Sequence, residues 1–186
     1  MNTTFVFGYG SLVNRSTHDY AHAHAARISG WRRVWRHVEG RSVAFLTVTQ
    51  SDGDEIDGLI AGVDDTAWPE LDLRERSYLR EEARNVAHPL PPETEIRIYH
   101  APVELHRPAD AHHPILLSYL DVVVQGFVRE FGEVGVHRFF ETTDGWDAPI
   151  LNDRADPRYS RHQKLTEDER AMTDDALSRL GATVLG

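Results

Sequence analysis

The stretch that most constrains this chain is its first apolar run, Phe5 to Val13, which reads F-V-F-G-Y-G-S-L-V. Phe5, Val6 and Phe7 are aromatic or β-branched, the side chains a buried strand favours. They run straight into Gly8, Tyr9, Gly10 and Ser11. Two glycines flanking a tyrosine permit backbone angles and close approaches that a Cβ forbids. Such a break has two readings. It is a tight turn whose glycines relieve strain, or a cradle whose N–H groups converge on an anion or a carbonyl oxygen. The common nucleotide motifs do not fit. Val13 stands where the dinucleotide fingerprint needs its third glycine, and the next strong pattern is strand-like. No Gly-Lys-Ser/Thr follows for a Walker phosphate loop.

At 186 residues the chain is read as one domain, 1–186, long enough to bury a core without staples. The absence of cysteine excludes disulfides and thiol catalysis. A formal net charge of −10 argues against nucleic acid as the main partner. Of the 20 basic residues only Lys164 is lysine, which leaves one amine for Schiff-base chemistry. The apolar runs are too short to span a bilayer and the N-terminus does not read as a secretion signal, so no membrane partner and a cytoplasmic location are expected.

After the opening loop, Arg15 to Arg27 is polar and alanine-rich and reads as a short helix or surface loop. His18, His22 and His24 raise a metal hydrolase as one reading, but no regular structure aligns all three and no carboxylate stands at a ligand spacing. No metal is therefore expected. Gly30 opens a β-rich block: Trp31–Val38, then Ser42–Gln50, a turn at Ser51–Glu55, and Ile56–Val63, which together suggest a hairpin. Trp31 and Trp35 suit either a pocket wall or the core.

From Asp64 to Tyr78 the spacing predicts a helix capped by Asp65 or Thr66, with Trp68 and Leu71 buried and Glu75 one turn further on the same side. A carboxylate there is either paired with Arg74 or Arg76, or held for proton transfer. Tyr78 to Ala87 is expected to re-enter the sheet, and Glu95 to Ala101 alternates as a strand with Arg97 and Tyr99 on one face. Pro114 opens the main buried helix, through Tyr119 to Phe131, in which Gly126 marks a close approach by another element. Thr166 and Glu169 form a capping box for a last helix that ends near Leu180.

In order along the chain, F-G-Y-G-S-L at Phe7–Leu12, L-D-L-R-E at Leu71–Glu75, the strand tyrosine Tyr99, and the helix tyrosine Tyr119 followed by Gly126 resemble the γ-glutamylcyclotransferase superfamily. The resemblance spans about Phe5 to Gly135 and leaves 133–186 as a family-atypical C-terminal extension. It implies an α+β fold, a small antiparallel β-barrel flanked by α-helices. It also implies an enzyme that needs no cofactor and releases 5-oxoproline from a small γ-glutamyl amino acid, peptide or amine. Glu75 would be the general acid/base. Gly8, Tyr9, Gly10, Ser11 and Leu12, with Tyr99 and Tyr119, would bind substrate. A non-catalytic metabolite-binding module of the same fold is the alternative, and either a monomer or a homodimer is compatible.

Overall fold

The computed structural model describes residues 3–186. Its frame is a sheet of six principal strands: β1 (Thr4–Gly8), β2 (Ala21–His37), β3 (Phe45–Val63), β4 (Leu79–Glu82), β5 (Val86–Ala87) and β6 (Ile96–His100). Their spatial order is β4-β6-β1-β3-β2-β5, with short additions to β2 at Arg107–Pro108 and Thr143–Asp144. Three helices accompany it: α1 (Trp68–Arg74), α2 (Leu117–Glu141) and α3 (Glu167–Leu180).

The opening strand sits inside this frame and serves both faces. Phe5 and Phe7 enter the large apolar cluster together with Ile28, Trp35, Val48 and the α2 side chains Val123, Val124 and Phe127. Val6 points the other way and joins Ala61, Val63, Leu71 and Tyr99 under α1. The alternation follows from the two-residue period of a strand. Phe7 and Phe127 are fully withdrawn from water, each gaining roughly 2–3 kcal/mol over an exposed position.

The α+β class holds, but the expected antiparallel barrel does not close. β1 runs parallel to β6 and antiparallel to β3, so the sheet is mixed. Its outer strands β4 and β5 are joined by Ala83–Asn85 and form no ladder with each other. One chain segment pairs first with β6 and then with β2, and Asn85 bends between them at φ 58°. A covalent bridge thus stands where a barrel would have a hydrogen-bonded seam.

Two further expectations fail for a common reason. Arg15–Thr17 is a 3-10 turn, but from Ala21 the alanine- and histidine-rich segment is the start of β2, not a helix or loop. The expected turn at Ser51–Glu55 does not reverse the chain, and β3 continues through it. Glu55 pairs with Ser29 and Gln50 with Trp31, so Ser51–Asp54 bulge opposite Gly30. Gly30 and Gly53 adopt φ 83° and 88°, which gives the bulge its local bend. A long partner strand on both sides keeps the ladder running, and the hairpin lies instead between β2 and β3.

The main helix begins three residues after Pro114. Ile115–Leu116 pair with Ile150–Leu151, and α2 then runs past a non-helical Gly132 to Glu141. The last helix follows the expected capping box: Thr166 Oγ1 accepts from Glu169 N (3.1 Å) and Glu169 accepts from Thr166 N (2.9 Å). Glu169 also accepts from Gln125 and Arg129, which ties α3 to α2. No described helix is long and apolar enough to cross a membrane.

Candidate active site

The glycine loop is held from three sides. At its end, Ser11–Val13 is a 3-10 turn in which Val13 N–H donates to the Gly10 carbonyl (3.0 Å) and Asn14 N–H to Ser11 (3.1 Å). The N–H groups that precede the turn have no partner within it. Asn14 then docks on α2, donating to the Val122 carbonyl (3.0 Å) and Gln125 Oε1 (2.8 Å). Gly126 makes this possible, since a Cβ there would stand 2.6 Å from Asn14 N.

The third support is Arg33, fully buried, whose Nε donates to the Tyr9 carbonyl at 2.8 Å. Its other donors reach Thr142 Oγ1 (2.8 Å) and the Asp57 carbonyl. Phe127 and Phe139 lie against the guanidinium at 4.9 and 5.2 Å. Burial pushes Arg33 down to about 9, so it remains charged at neutral pH. Arg33 was not among the expected site residues. The signal was present in W-R-R-V-W, because the strand period puts Arg33 on the same face as Trp31 and Trp35, which are also buried.

Glu75 closes the far side. It follows the last residue of α1 and its N–H bonds the Leu71 carbonyl (2.9 Å), so fully buried Leu71 fixes its direction. No side chain caps the start of this helix; Ala67 occupies the place expected for Asp65 or Thr66. Glu75 Oε1 lies 3.2 Å from Arg74 Nε, and its side chain is 19 % exposed. Burial holds its carboxyl above the ordinary glutamate value, against the pull of Arg74, Arg161 and Arg41. The Arg74 pairing and the raised carboxyl thus coexist at one carboxylate.

All the expected site residues line one pocket of about 60 Å³: Gly8 to Leu12, Glu75, Tyr99 and Tyr119. The tyrosines differ in what they offer. Tyr9 donates to the Tyr99 carbonyl (2.8 Å), and Tyr99 gives its own hydroxyl to Asp72 (2.6 Å), so both phenols are already engaged. Tyr119 lies directly against the loop, where a Cβ on Gly10 would stand 2.7 Å from its hydroxyl oxygen. Burial, reinforced by Tyr159 and Glu75, raises the Tyr119 phenol, so its proton is available to donate. Tyr78, which donates to the Leu46 carbonyl (2.9 Å), completes the wall and is likewise raised by burial.

The histidines of the β2 entry are elsewhere employed. His18 bonds the Leu12 carbonyl (3.0 Å) and receives Tyr20 N–H (3.2 Å), while exposed His22 sits at φ 51°. Among the described residues, the ligand atoms that approach one another belong instead to His37, Asp110 and His113, where Asp110 is bonded to His113 at 2.7 Å.

The chain matches the family model described as gamma-glutamyl cyclotransferase, AIG2-like, over residues 6–119. A solved gamma-glutamyl cyclotransferase superposes with a TM-score of 0.61 at 18% identity, over 93% of this chain and 99% of that one. An uncharacterized Homo sapiens protein, loc79017, gives 0.60 at 18% identity, over 95% and 99%. YkqA from Bacillus subtilis gives 0.60 at 16% identity, over 78% of this chain and 57% of its own. At these identities the structural likeness is one of fold. A comparison with the curated proteins finds no match. The family match takes in the glycine loop, Glu75 and Tyr99 and ends on Tyr119, and by it the chain belongs to the AIG2-like γ-glutamyl cyclotransferase family.

Proposed function

We propose that this protein cleaves a γ-glutamyl amide by intramolecular attack and releases 5-oxoproline, with Glu75 as general acid/base. The observation that carries this reading is the opening of Glu75 into the same pocket as the Gly8–Leu12 loop. The reaction needs both. The α-ammonium of the glutamyl unit must lose a proton before its nitrogen attacks the γ-carbonyl, and a carboxylate in reach takes it. Negative charge then develops on the carbonyl oxygen, where preorganised N–H donors and the Tyr119 hydroxyl stabilise it. As the C–N bond breaks, Glu75 returns the proton to the leaving amine; the surplus proton on the attacking nitrogen then follows by way of Glu75, so that a neutral five-membered lactam and a protonated amine depart. The raised carboxyl suits a group that alternately takes and gives a proton.

The test is 5-oxoproline release over a panel of γ-glutamyl amino acids, peptides and amines. Glu75→Gln should lower kcat by about 10³-fold while KM stays within a few-fold. A Gln variant that keeps the wild-type rate would remove Glu75 from the chemistry.

A further inference from the structure

The pocket continues outward into a larger chamber of about 230 Å³, which shares Ser11, Glu75, Tyr78 and Tyr119 with the inner one and adds Arg41, Arg74 and Arg161. Three arginines thus surround one carboxylate in a chain whose formal net charge is −10. Their engagements differ. Arg74 is taken up by Glu75 (3.2 Å) and approaches Ser11 Oγ (3.4 Å). Arg41 donates to Ser77 Oγ (2.6 Å) and lies 5.7 Å from the Phe45 ring centre. Among the described residues, neither Arg41 nor Arg161 has a carboxylate at ion-pair distance, yet both act on Glu75 through space.

Arg161 reaches the chamber on a strap, residues 153–164, that is fastened to α2 at both ends. Asp153 accepts from Ser118 N (2.7 Å), Ser118 Oγ (2.6 Å) and Arg158 N (2.9 Å). Tyr159 N–H donates to Ser118 Oγ (3.2 Å), and its ring packs edge-on against Tyr119 at 5.0 Å. At the other end, Gln125 Nε2 donates to the Lys164 carbonyl (3.0 Å). Such fastening fixes the backbone from which the half-buried Arg161 lines the chamber. A guanidinium without a protein carboxylate favours a ligand carboxylate, which it binds through two parallel N–H···O bonds.

Glu75 stands at the junction of the two chambers. A scissile amide beside it extends its glutamyl unit to one side and its leaving amine to the other. The inner pocket holds the whole glycine loop, whereas the outer one has the space and the uncommitted cations. We infer that the outer chamber is the leaving-group subsite, where Arg161, with Arg41, selects γ-glutamyl compounds whose leaving amine bears a carboxylate over neutral and cationic amines. The inference rests on the cyclotransferase reading above. Tyr159 and Arg161 lie beyond residue 119, where the family match ends, so that match does not carry this selectivity.

Two measurements separate the subsite from the chemistry. The first compares kcat/KM for γ-glutamyl-alanine and γ-glutamyl-ethylamine in wild type, Arg161→Ala and Arg161→Lys. The second measures, by calorimetry, the binding of N-glutaryl-alanine and N-glutaryl-ethylamine, which lack the α-amino group and cannot cyclise. Wild type should favour the carboxylate compound about 10- to 100-fold in both. Arg161→Ala should remove most of that preference, and Arg161→Lys should restore part of it. Equal affinity of the wild type for the two analogues would overturn the inference. So would an equal loss on both in Arg161→Ala, which would put Arg161 on the glutamyl carboxylate or in folding. Selective binding without turnover of any γ-glutamyl compound would uphold the subsite and sink the cyclotransferase reading instead.

Discussion

Two segments meet around Glu75 and were built in different ways. The Gly8–Leu12 loop takes its shape from its own neighbourhood: apolar strand residues drive it into the sheet, and glycines let it turn against Tyr119. The strap at 153–164 has little apolar content, and its position comes from polar contacts across long separations. Asp153 to Ser118 spans 35 residues and Gln125 to Lys164 spans 39. The first kind of structure is written in a short window of sequence; the second exists only once α2 has folded. In the proposed reaction the loop would supply the donors, and in the leaving-group inference the strap would add the charge that distinguishes one substrate from another.

The contrast is broken most directly at Gly126, where the loop depends on the helix that also carries the strap. Gly126→Val places new atoms against the backbone of Asn14, which a flexible side chain could not relieve. Overpacking and the lost Asn14 hydrogen bonds together should cost about 3 kcal/mol or more, far beyond the ~1 kcal/mol that replacing a helical glycine can return. Chemical denaturation measures it. A variant as stable as wild type would show that the loop does not need this close approach.

A smaller and more selective effect is expected at the strap. Asp153→Ala leaves the Ser118 N–H and hydroxyl and the Arg158 N–H without their acceptor, at a cost of about 2 kcal/mol. The loosened strap should lower kcat/KM for γ-glutamyl-alanine by about 10-fold while γ-glutamyl-ethylamine changes little. Equal losses on both substrates would mean that the strap supports the whole site and not the leaving-group chamber alone.

How far the molecule can be read from its sequence follows the same division. β1, the alternation of β6, the capping box of α3 and the close approach at Gly126 were all legible, because each is encoded by residues within one element or one turn. Glu75 was legible as a carboxylate one turn past Leu71, although only the fold shows that its Arg74 contact and its pocket position coexist. The 51–55 turn was misread because a local bend signal cannot tell a reversal from a bulge; the pairing strand decides. The barrel was misread because closure depends on whether β4 and β5 pair, and Ala83–Asn85 joins them instead. Arg33 was legible in principle, as a charge alternating with two tryptophans on a buried face, but an arginine invites a surface reading unless that period is followed.

The smallest predicted effect has the sharpest sign, because it compares a carboxylate on each side of the site. Asp153 stabilises the fold through three hydrogen bonds, whereas Glu75 is a carboxylate whose ionised form the fold disfavours. Burial raises the Glu75 carboxyl above its ordinary value, and that direction already includes the attraction of Arg74. Between the unfolded and the raised folded value, the native protein keeps a proton that the unfolded chain has lost. Stability from this group is therefore present below the unfolded value and lost as pH rises through the folded one. Above the unfolded value this carboxyl is therefore a net cost to the fold, and Glu75→Gln, which removes it, should raise Tm at neutral pH by about 2 °C. The gain should vanish near about pH 4, where the wild-type carboxyl is protonated as well. Calorimetry across that range decides the matter. A Gln variant that melts lower at neutral pH would make Glu75 a structural partner of Arg74, as Asp153 is of Ser118, and the difference between the two sides of the site would disappear.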